Sequence, residues 1–412
     1  MLEGRVPVKP FFFLAVLMTT QVLTTAVAAQ EGGDGAPKIC RPLVITAPYV
    51  DPTPVSDVTQ CPGYSRSNPD QCGAPCIVDI SGSPVGERAP ELILRDALRW
   101  CNTTVRLGPT VTLDYSHKFK DPTSETPNEE VDLRPLRFAQ CVKLTSVNDF
   151  NFPTSEARTP RSLGPLLHYG DPESSSTFLS VSCDDEEQKQ EPKGPWADHV
   201  RISGFRVFGT TDDQQREGNA VGIRVRRCVD VEISNLEIHG FGGVGIEVEN
   251  LFKDPSPRIN DYSQVRIHEN FIHHNQHPNI GGHAGGYGIE TGHGGARAHI
   301  YRNVFDFNRH AIAAAWDTDG YNAEENLVLK GGGWHGGFFN NFTHIFDAHG
   351  SGCSWSGDLC GNAGEEFHYF RNSFQYSSDK AIHIRGKPSK DNGSDITENV
   401  FPPHGVLSFA DS

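Results

Sequence analysis

Gly222-Ile223-Arg224-Val225, Gly245-Ile246-Glu247-Val248, Gly288-Ile289-Glu290-Thr291, Ala311-Ile312-Ala313-Ala314, His344-Ile345-Phe346-Asp347 and Ala381-Ile382-His383-Ile384 are six versions of one phrase. In each, a small or polar residue precedes Ile and alternation follows, which fits a strand with one face turned inward. The Ile-to-Ile steps are 23, 43, 23, 33 and 37 residues, and a step of 23 suits one turn of a solenoid.

A second phrase precedes or separates these strands: an apolar residue, a spacer, another apolar or aromatic residue, two more residues, then Asn. Val265-Arg266-Ile267-His268-Glu269-Asn270-Phe271, Ala298-His299-Ile300-Tyr301-Arg302-Asn303-Val304-Phe305 and Phe367-His368-Tyr369-Phe370-Arg371-Asn372-Ser373-Phe374 show it, with Asn235, Asn326 and Asn399 in similar settings. Asn tolerates left-handed backbone at a turn, and stacked Asn amides can hydrogen-bond along a solenoid. These residues are read as builders of the coil.

The paired phrases resemble the right-handed parallel β-helix of the pectate-lyase-like superfamily over roughly residues 90 to 405. The resemblance implies an all-β solenoid. As a guide to function it is broad, because that scaffold carries lyases, hydrolases, epimerases and inert adhesins.

Arg5 and Lys9 precede the apolar run from Phe11 to Met18, and Ala26-Val27-Ala28-Ala29 offers small residues for cleavage, so residues 1–29 read as a signal peptide. The remainder has no apolar stretch long enough to span a bilayer, and the mature chain is expected to be secreted and monomeric. Ten cysteines and sequons at Asn102, Asn341 and Asn392 fit an oxidising compartment. Cys353 and Cys360 bracket a small loop and are expected to pair; the other eight are even in number, with connectivity left open. The formal charge is −16, and removing Glu3, Arg5 and Lys9 takes away a net +1, leaving about −17. Such a surface repels nucleic acid and anionic membrane, so a polyanionic substrate would require cations clustered locally.

Residues 30–90, rich in Pro, Gly and Cys, read as an irregular disulfide-tied extension packed on the solenoid end; residues 91–412 read as the β-helix domain. Glu91 to Cys101 reads as a helix, since Leu94, Ala97, Leu98 and Cys101 share one face. That helix would cap the open end of the coil, where backbone groups are otherwise unpaired. Short strands are expected at Thr104–Leu107, Val142–Leu144 and Phe178–Val181, and Asp184-Asp185-Glu186-Glu187 reads as a solvated loop.

Thirteen of the 18 histidines fall between His268 and His383. Histidine titrates near neutrality and serves as acid, base or ligand, so the chemistry is placed here. Aligned on Ile, the rungs set Val221, Val244, Tyr287, His310, Thr343 and Lys380 in one column. Arg224, Glu247, Glu290, Ala313, Phe346 and His383 make a second column. A third holds Arg227, Asn250, His293, Trp316, His349 and Gly386, with Arg385 beside the last. Rungs three to six thus carry a polar and aromatic patch.

The patch has the residue types a sugar acid requires. Trp316 and Tyr287 would stack on pyranose faces, Arg309 and Arg385 would pair with carboxylates, and His293, His310 and His349 would move protons. Lys387 adds a further cation for substrate. The small residues Ala313, Ala314, Ala315, Gly292 and Gly294 would leave room for a polymer. Phe346-Asp347-Ala348-His349 resembles the Phe-Asp-Pro-His-Asp signature of alginate C5-epimerases, which implies roles for Asp347 and His349. Here Ala348 replaces Pro, Gly350 replaces the last Asp, and His344 stands at the position of a Tyr. Strict alternation from Ile345 points Asp347 inward, so a bend or bulge is needed to bring Asp347 and His349 to one outer site.

Two other matches are set aside. Gly292-His293-Gly294 and Arg385-Gly386-Lys387 look like pieces of the polygalacturonase signature, but their separation is too long and the expected Asp-Asp pair is missing. Asp317-Thr318-Asp319-Gly320 opens like a calcium loop, yet Lys330 falls near the position of the closing Glu. No metal site is assigned. A divalent cation, calcium or another, is the cofactor that His277 with His283, or Asp347 with His349, would suit, though no ligand spacing marks it.

These residues point to a polysaccharide-active enzyme, a lyase or epimerase that abstracts the proton beside a uronate carboxylate with Arg385, Arg309 or a metal offsetting the developing charge. A glycoside hydrolase would instead need two carboxylates, Glu290 with Asp347 or Asp317. A non-catalytic glycan-binding protein is the third class.

Overall fold

Apolar residues alternate through Val231 and Ile233, then Ile238, then Ile246 and Val248, and each group becomes one wall of a coil. The walls are the strands Val229–Ser234, Glu237–His239 and Val244–Glu249. The next turn repeats them as Val265–His268, Phe271–His273 and Tyr287–Gly292. The structure, a computed structural model, describes residues 53–62, 64, 75–86, 88–100, 102–120, 130–139, 141–147, 164–170, 176–183, 197–210, 219–250, 264–276, 285–292, 294–314, 319–335, 341–349, 363–390, 393–403 and 406–409. Among these, stacked turns form three sheets of ten, eight and nine strands. Neighbouring strands in all three run parallel. The expected parallel β-helix is therefore the architecture.

The inner column of the nine-stranded sheet holds its rungs in register. Ile223, Ile246, Ile289, Ile312, Phe346 and Ile382 pair in succession, and none is more than 1% exposed. Burying each such side chain contributes roughly 1.5–3 kcal/mol. The small residue before Ile also has a physical reason. A Cβ on Gly222 would lie 2.6 Å from the Gly245 carbonyl oxygen, one on Gly245 2.7 Å from that of Gly288, and one on Gly288 2.6 Å from that of Ala311.

One rung departs from the sequence alignment: Phe346, not Ile345, is the partner of Ile312. Ile345 is buried too, but at the corner before the strand, where its carbonyl accepts from the Ala311 N–H at 2.9 Å. Gly332 and Gly333 make room for it, since a Cβ on Gly333 would meet Ile345 Cδ1 at 2.9 Å. The strand Phe346–His349 is thereby shifted by one residue, and every side chain on it changes face.

The asparagines form a ladder inside the corner between the ten- and eight-stranded sheets. Asn270, Asn303, Asn326 and Asn372 each donate Nδ2 to the Oδ1 of the next, at 2.9, 3.1, 3.0 and 2.9 Å, ending at Asn399. Left-handed backbone belongs to the residue before each Asn: Glu269, Arg302, Glu325, Arg371 and Glu398 all have φ between 52° and 56°. Asn235 sits at that preceding position, with φ 52°, and Leu236 occupies the ladder position, its N–H donating to Asn270 Oδ1. Asn235 is thus a turn residue and no part of the ladder.

The capping helix runs Pro90–Leu98 and buries Leu92, Ile93, Leu94, Ala97 and Leu98. Proline at its start suits a position with no helical partner for an N–H. It packs on the terminal strands Cys76–Ile80, Thr103–Leu107, Thr112–Asp114 and Leu136–Arg137, as a cap should. Arg88 anchors its base, bridging Asp57 at 2.6 Å and Asp96 at 2.5 Å. The Cys-rich extension is not wholly irregular, because Cys76–Ile80 pairs with Thr103–Leu107 and lengthens the first sheet. Disulfides join Cys61 to Cys76 and Cys183 to Cys228. The signal-peptide segment, Cys353 with Cys360, the acidic run 184–187, and His277 with His283 lie outside the described residues.

Candidate active site

The one-residue shift at Phe346 decides what the outer face of the nine-stranded sheet presents. Asp347 pairs with Ala313 on one side and His383 on the other. Its column therefore reads Arg224, Glu247, Glu290, Ala313, Asp347, His383. Asp347 faces away from the β-helix core, and the register shift at Phe346 does what strict alternation from Ile345 could not. His349, two residues on, shares that face and pairs with Arg385.

Asp347 is the hub of the site. It is 1% exposed, and Arg385 grips it through Nε to Oδ1 at 3.0 Å and Nη2 to Oδ2 at 2.6 Å. His344 Nε2 lies 3.2 Å from Oδ1, without the alignment of a hydrogen bond. His349 Nε2 lies 3.5 Å from Oδ2, and His310 Nε2 4.0 Å from the same oxygen. Burial alone would raise the Asp347 carboxyl, but His344, His349 and Arg385 outweigh it and hold the group well below the carboxylate range. Asp347 is thus a fixed anion.

His310 is fixed in the opposite sense. Burial, reinforced by His344 and Arg309, pushes its imidazolium well below the usual range, so the ring is neutral. Nδ1 lies 2.7 Å from the His344 carbonyl oxygen; a carbonyl only accepts, so Nδ1 carries the proton and Nε2 the lone pair. The ring is stacked between Tyr287 at 5.3 Å and His344 at 4.3 Å. Thr343 Oγ1, which donates to the Arg309 carbonyl at 2.8 Å, supports this corner. Arg309 lies over the Tyr287 ring at 5.5 Å.

His310 is almost wholly covered, whereas the side chains of His344, His349 and Arg385 are 17%, 21% and 19% exposed. Access from outside is therefore to His344, His349 and Arg385. His383, beside Asp347 in the same column, is driven to about 4 by burial, His344 and Lys380, and Lys380 Nζ approaches its Nε2 at 3.3 Å. Tyr287 is raised to about 12 by burial.

Glu290 stands two rungs from Asp347, with Ala313 between them. Burial, then the charges of Glu247, Asp319 and Glu249, raise it to about 8, and the residue is only partly exposed. Lys387 is exposed beyond the end of the strand, its carbonyl accepting from Ala363 N–H at 3.0 Å. His293, Trp316 and Asp317 lie outside the described residues.

The Ile alignment sets Lys380 and His383 in its columns without giving either a role, and the epimerase resemblance gives His344 only the position of a Tyr. Aligning Phe346 with Ile312 would have found them, since it sets His344 next to His310 and Asp347 next to His383. For a cation, His310, His344 and Asp347 offer ligand atoms within 4.8 Å of one another. Both Asp347 oxygens already take hydrogen bonds from Arg385, however, and that guanidinium opposes a divalent ion here.

A family model for the right-handed β-helix region matches residues 194–328, so the coil is right-handed. No curated protein matches the sequence. Among solved structures, the chain is similar to an alginate lyase from Paenibacillus sp. str. FPU-7, with 13% identity, 81% of this chain and 98% of that one covered, and a TM-score of 0.41. It is also similar to the A-modules of two Azotobacter vinelandii mannuronan C-5 epimerases. AlgE6 has 11% identity, with 78% and 97% covered and a TM-score of 0.22. AlgE4 has 9% identity, with 80% and 98% covered and a TM-score of 0.22.

Proposed function

We propose that this chain is a secreted enzyme that acts on a uronate-containing polysaccharide, as a lyase or epimerase, by removing the proton beside the sugar carboxylate. The observation that carries the reading is the buried Asp347 anion with Arg385 across both oxygens and the imidazoles of His344 and His349 on either side. Secretion is supported by the N-terminal apolar run and by the disulfides Cys61–Cys76 and Cys183–Cys228.

Asp347 is not the base, because it is ionised, buried and already bonded; it orients the groups around it. His344 and His349 are the partly exposed imidazoles of the cluster, and to them we assign the proton transfers, one taking the C5 proton and the other supplying or receiving the second. As C5 loses its proton, charge builds on the sugar carboxylate. Arg385 Nη1, which takes no part in the grip on Asp347, and Lys380 at the edge are the cations that offset it. If the electron pair forms the C4–C5 double bond, O4 leaves with a proton and the chain is cut. If C5 is reprotonated from its other face, the product is the epimer.

Inverting hydrolysis is the second reading. Glu290 is held protonated and Asp347 charged, two rungs or roughly 10 Å apart along the sheet, close to what an acid and base flanking a water require. It is the weaker reading, because the oxygens of Asp347 are taken.

Incubation with pectate, alginate and glucuronan in deuterated water separates these outcomes. Deuterium at C5 marks epimerisation, and an ultraviolet-absorbing C4–C5 double bond, whose C5 bears no hydrogen, marks elimination; either supports proton abstraction. New reducing ends with neither label nor absorbance would replace it with hydrolysis, and binding without any product would make the chain a glycan-binding protein.

A further inference from the structure

We infer that Glu237, His239 and His273 form a binding site for a divalent transition-metal ion on the outer face of the eight-stranded sheet, apart from the Asp347 cluster. Glu237 and His239 point outward from one strand, with Ile238 inward between them. His273 is the partner of His239 on the next rung. Two alternate positions on one strand and the lateral neighbour of one of them make an L on the sheet surface. Side chains at such positions converge above it, because rungs are about 4.8 Å apart and alternate residues about 6.6 Å. The ligand atoms of all three lie within 4.8 Å of one another.

His273 is the most constrained of the three. It is 8% exposed, its Nε2 lies 3.2 Å from Glu237 Oε1, and its Nδ1 lies 2.8 Å from Nδ1 of His274. Between two ring nitrogens at that distance one donates and one accepts. When Nε2 binds a metal, Nδ1 carries the proton and His274 accepts it, which is the outer partner that fixes a metal-bound imidazole. His274 is itself held, with left-handed backbone at φ 51° and its ring stacked on Phe307 at 4.7 Å. In the metal-free protein a proton lies between His273 Nε2 and Glu237; the ion replaces it.

Two imidazoles and one carboxylate, with a position open to solvent, suit zinc or iron(II). They supply too few oxygens for calcium or magnesium. Arg206, the partner of Glu237 on the preceding rung, moderates affinity. The His239 and His273 rings are stacked at 13°, so His239 must turn about its Cβ–Cγ bond to close on the ion. The ion then ties two successive rungs together. It is a clamp on the coil, and the chemistry on the nine-stranded sheet does not require it.

The test is titration of the full secreted protein, free of any histidine tag, with cobalt(II) and then zinc. One equivalent of cobalt is expected to give the intense visible bands of a low-coordinate site, and zinc to displace it and bleach those bands. At about a hundredfold excess of zinc over its dissociation constant, the thermal midpoint should rise by about 3–5 °C. His239→Ala, on a partly exposed ring, and His273→Gln should abolish both signals. His344→Ala should leave them intact. Bands that survive His239→Ala, bands lost in His344→Ala, or absence of both bands and thermal shift in the unmutated protein would each overturn the assignment.

Discussion

Arg385 and Asp347 lie on neighbouring strands and meet through two hydrogen bonds, Nε to Oδ1 at 3.0 Å and Nη2 to Oδ2 at 2.6 Å. Removing one partner of a buried ion pair costs more than removing both, since the survivor is a charge with nothing beside it. Arg385→Ala is therefore expected to lower stability by about 3 kcal/mol, moderated by the two imidazoles that remain. Arg385→Gln combined with Asp347→Asn should recover most of that loss while glycan turnover stays absent. Urea denaturation measures the first effect and product formation the second. A double variant no more stable than Arg385→Ala would mean the pair is not what holds the carboxylate.

His344 and His349 flank the same carboxylate from opposite sides and are open to substrate. If they share the proton transfers, His344→Ala and His349→Ala should each lower kcat by about 10²–10⁴ with KM little changed. The double variant should lose no more than about tenfold beyond the worse single one, because groups that act as a unit are not additive. Deuterium incorporation at C5, or ultraviolet absorbance of the C4–C5 double bond, reports the step directly. Equal, modest losses in KM alone would reduce both residues to substrate contacts.

The fold was legible because two periodic phrases repeat, and apolar alternation has few other uses at that spacing. The site was legible in its residue types and blurred in its register. His344-Ile345-Phe346 offers two adjacent apolar residues for one inward slot, and pattern alone favours Ile because five other rungs use it. The choice of Phe346 is made in three dimensions, by the space that Gly332 and Gly333 leave for Ile345 at the corner. No local signal carries that. Asn235 shows the same blur of register: it takes the left-handed turn that an Asn tolerates, while the ladder position one residue later is filled by Leu236.

Glu290 and His383 pull the pH dependence of stability in opposite directions. The folded-state value of Glu290 is raised from 4.5 to about 8, so its contribution is full below pH 4.5 and is lost as pH rises through 8. Glu247, raised to about 7, acts the same way. His383 is depressed from 6.5 to about 4, so its contribution is present above pH 6.5 and is lost as pH falls through 4. Glu290→Gln keeps the shape and removes the charge. Its thermal midpoint should exceed that of the unmutated protein by a few degrees at pH 9, with the gap closing by pH 5, whereas His383→Gln should flatten the acid limb. Parallel melting curves across that range would show that neither group is perturbed as argued.

Asn303 stands in the middle of the amide ladder. Its Oδ1 accepts from Asn270 N–H and Nδ2, and its Nδ2 donates to Ile267 O and Asn326 Oδ1. Asn303→Ala leaves several buried partners without a bond, at about 1–3 kcal/mol for each group left unmade. A loss of about 3 kcal/mol or more is expected by urea denaturation. Asn235→Ala, which only asks an alanine to adopt left-handed backbone, should cost about 1–2 kcal/mol. Equal losses would place the stabilisation in the turns and not in the ladder.

Gly288 separates Tyr287, which stacks on His310, from Ile289 in the core, so a substitution there tests how closely coil packing and site are joined. A Cβ at this position would lie 2.6 Å from the Ala311 carbonyl oxygen, a backbone atom fixed in the next rung and unable to yield as a side-chain tip would. Gly288→Ala must push the rungs apart, at about 1–3 kcal/mol, and in doing so shift Tyr287 against His310. Gly86→Ala is the comparison: it has φ +64° and nothing within 4 Å of its Cβ, so it should cost about 1–2 kcal/mol and leave turnover unchanged. Turnover in Gly288→Ala should fall even at temperatures where the protein remains folded by circular dichroism. Full activity in that variant would show that the stacking of Tyr287 on His310 is not needed for the chemistry.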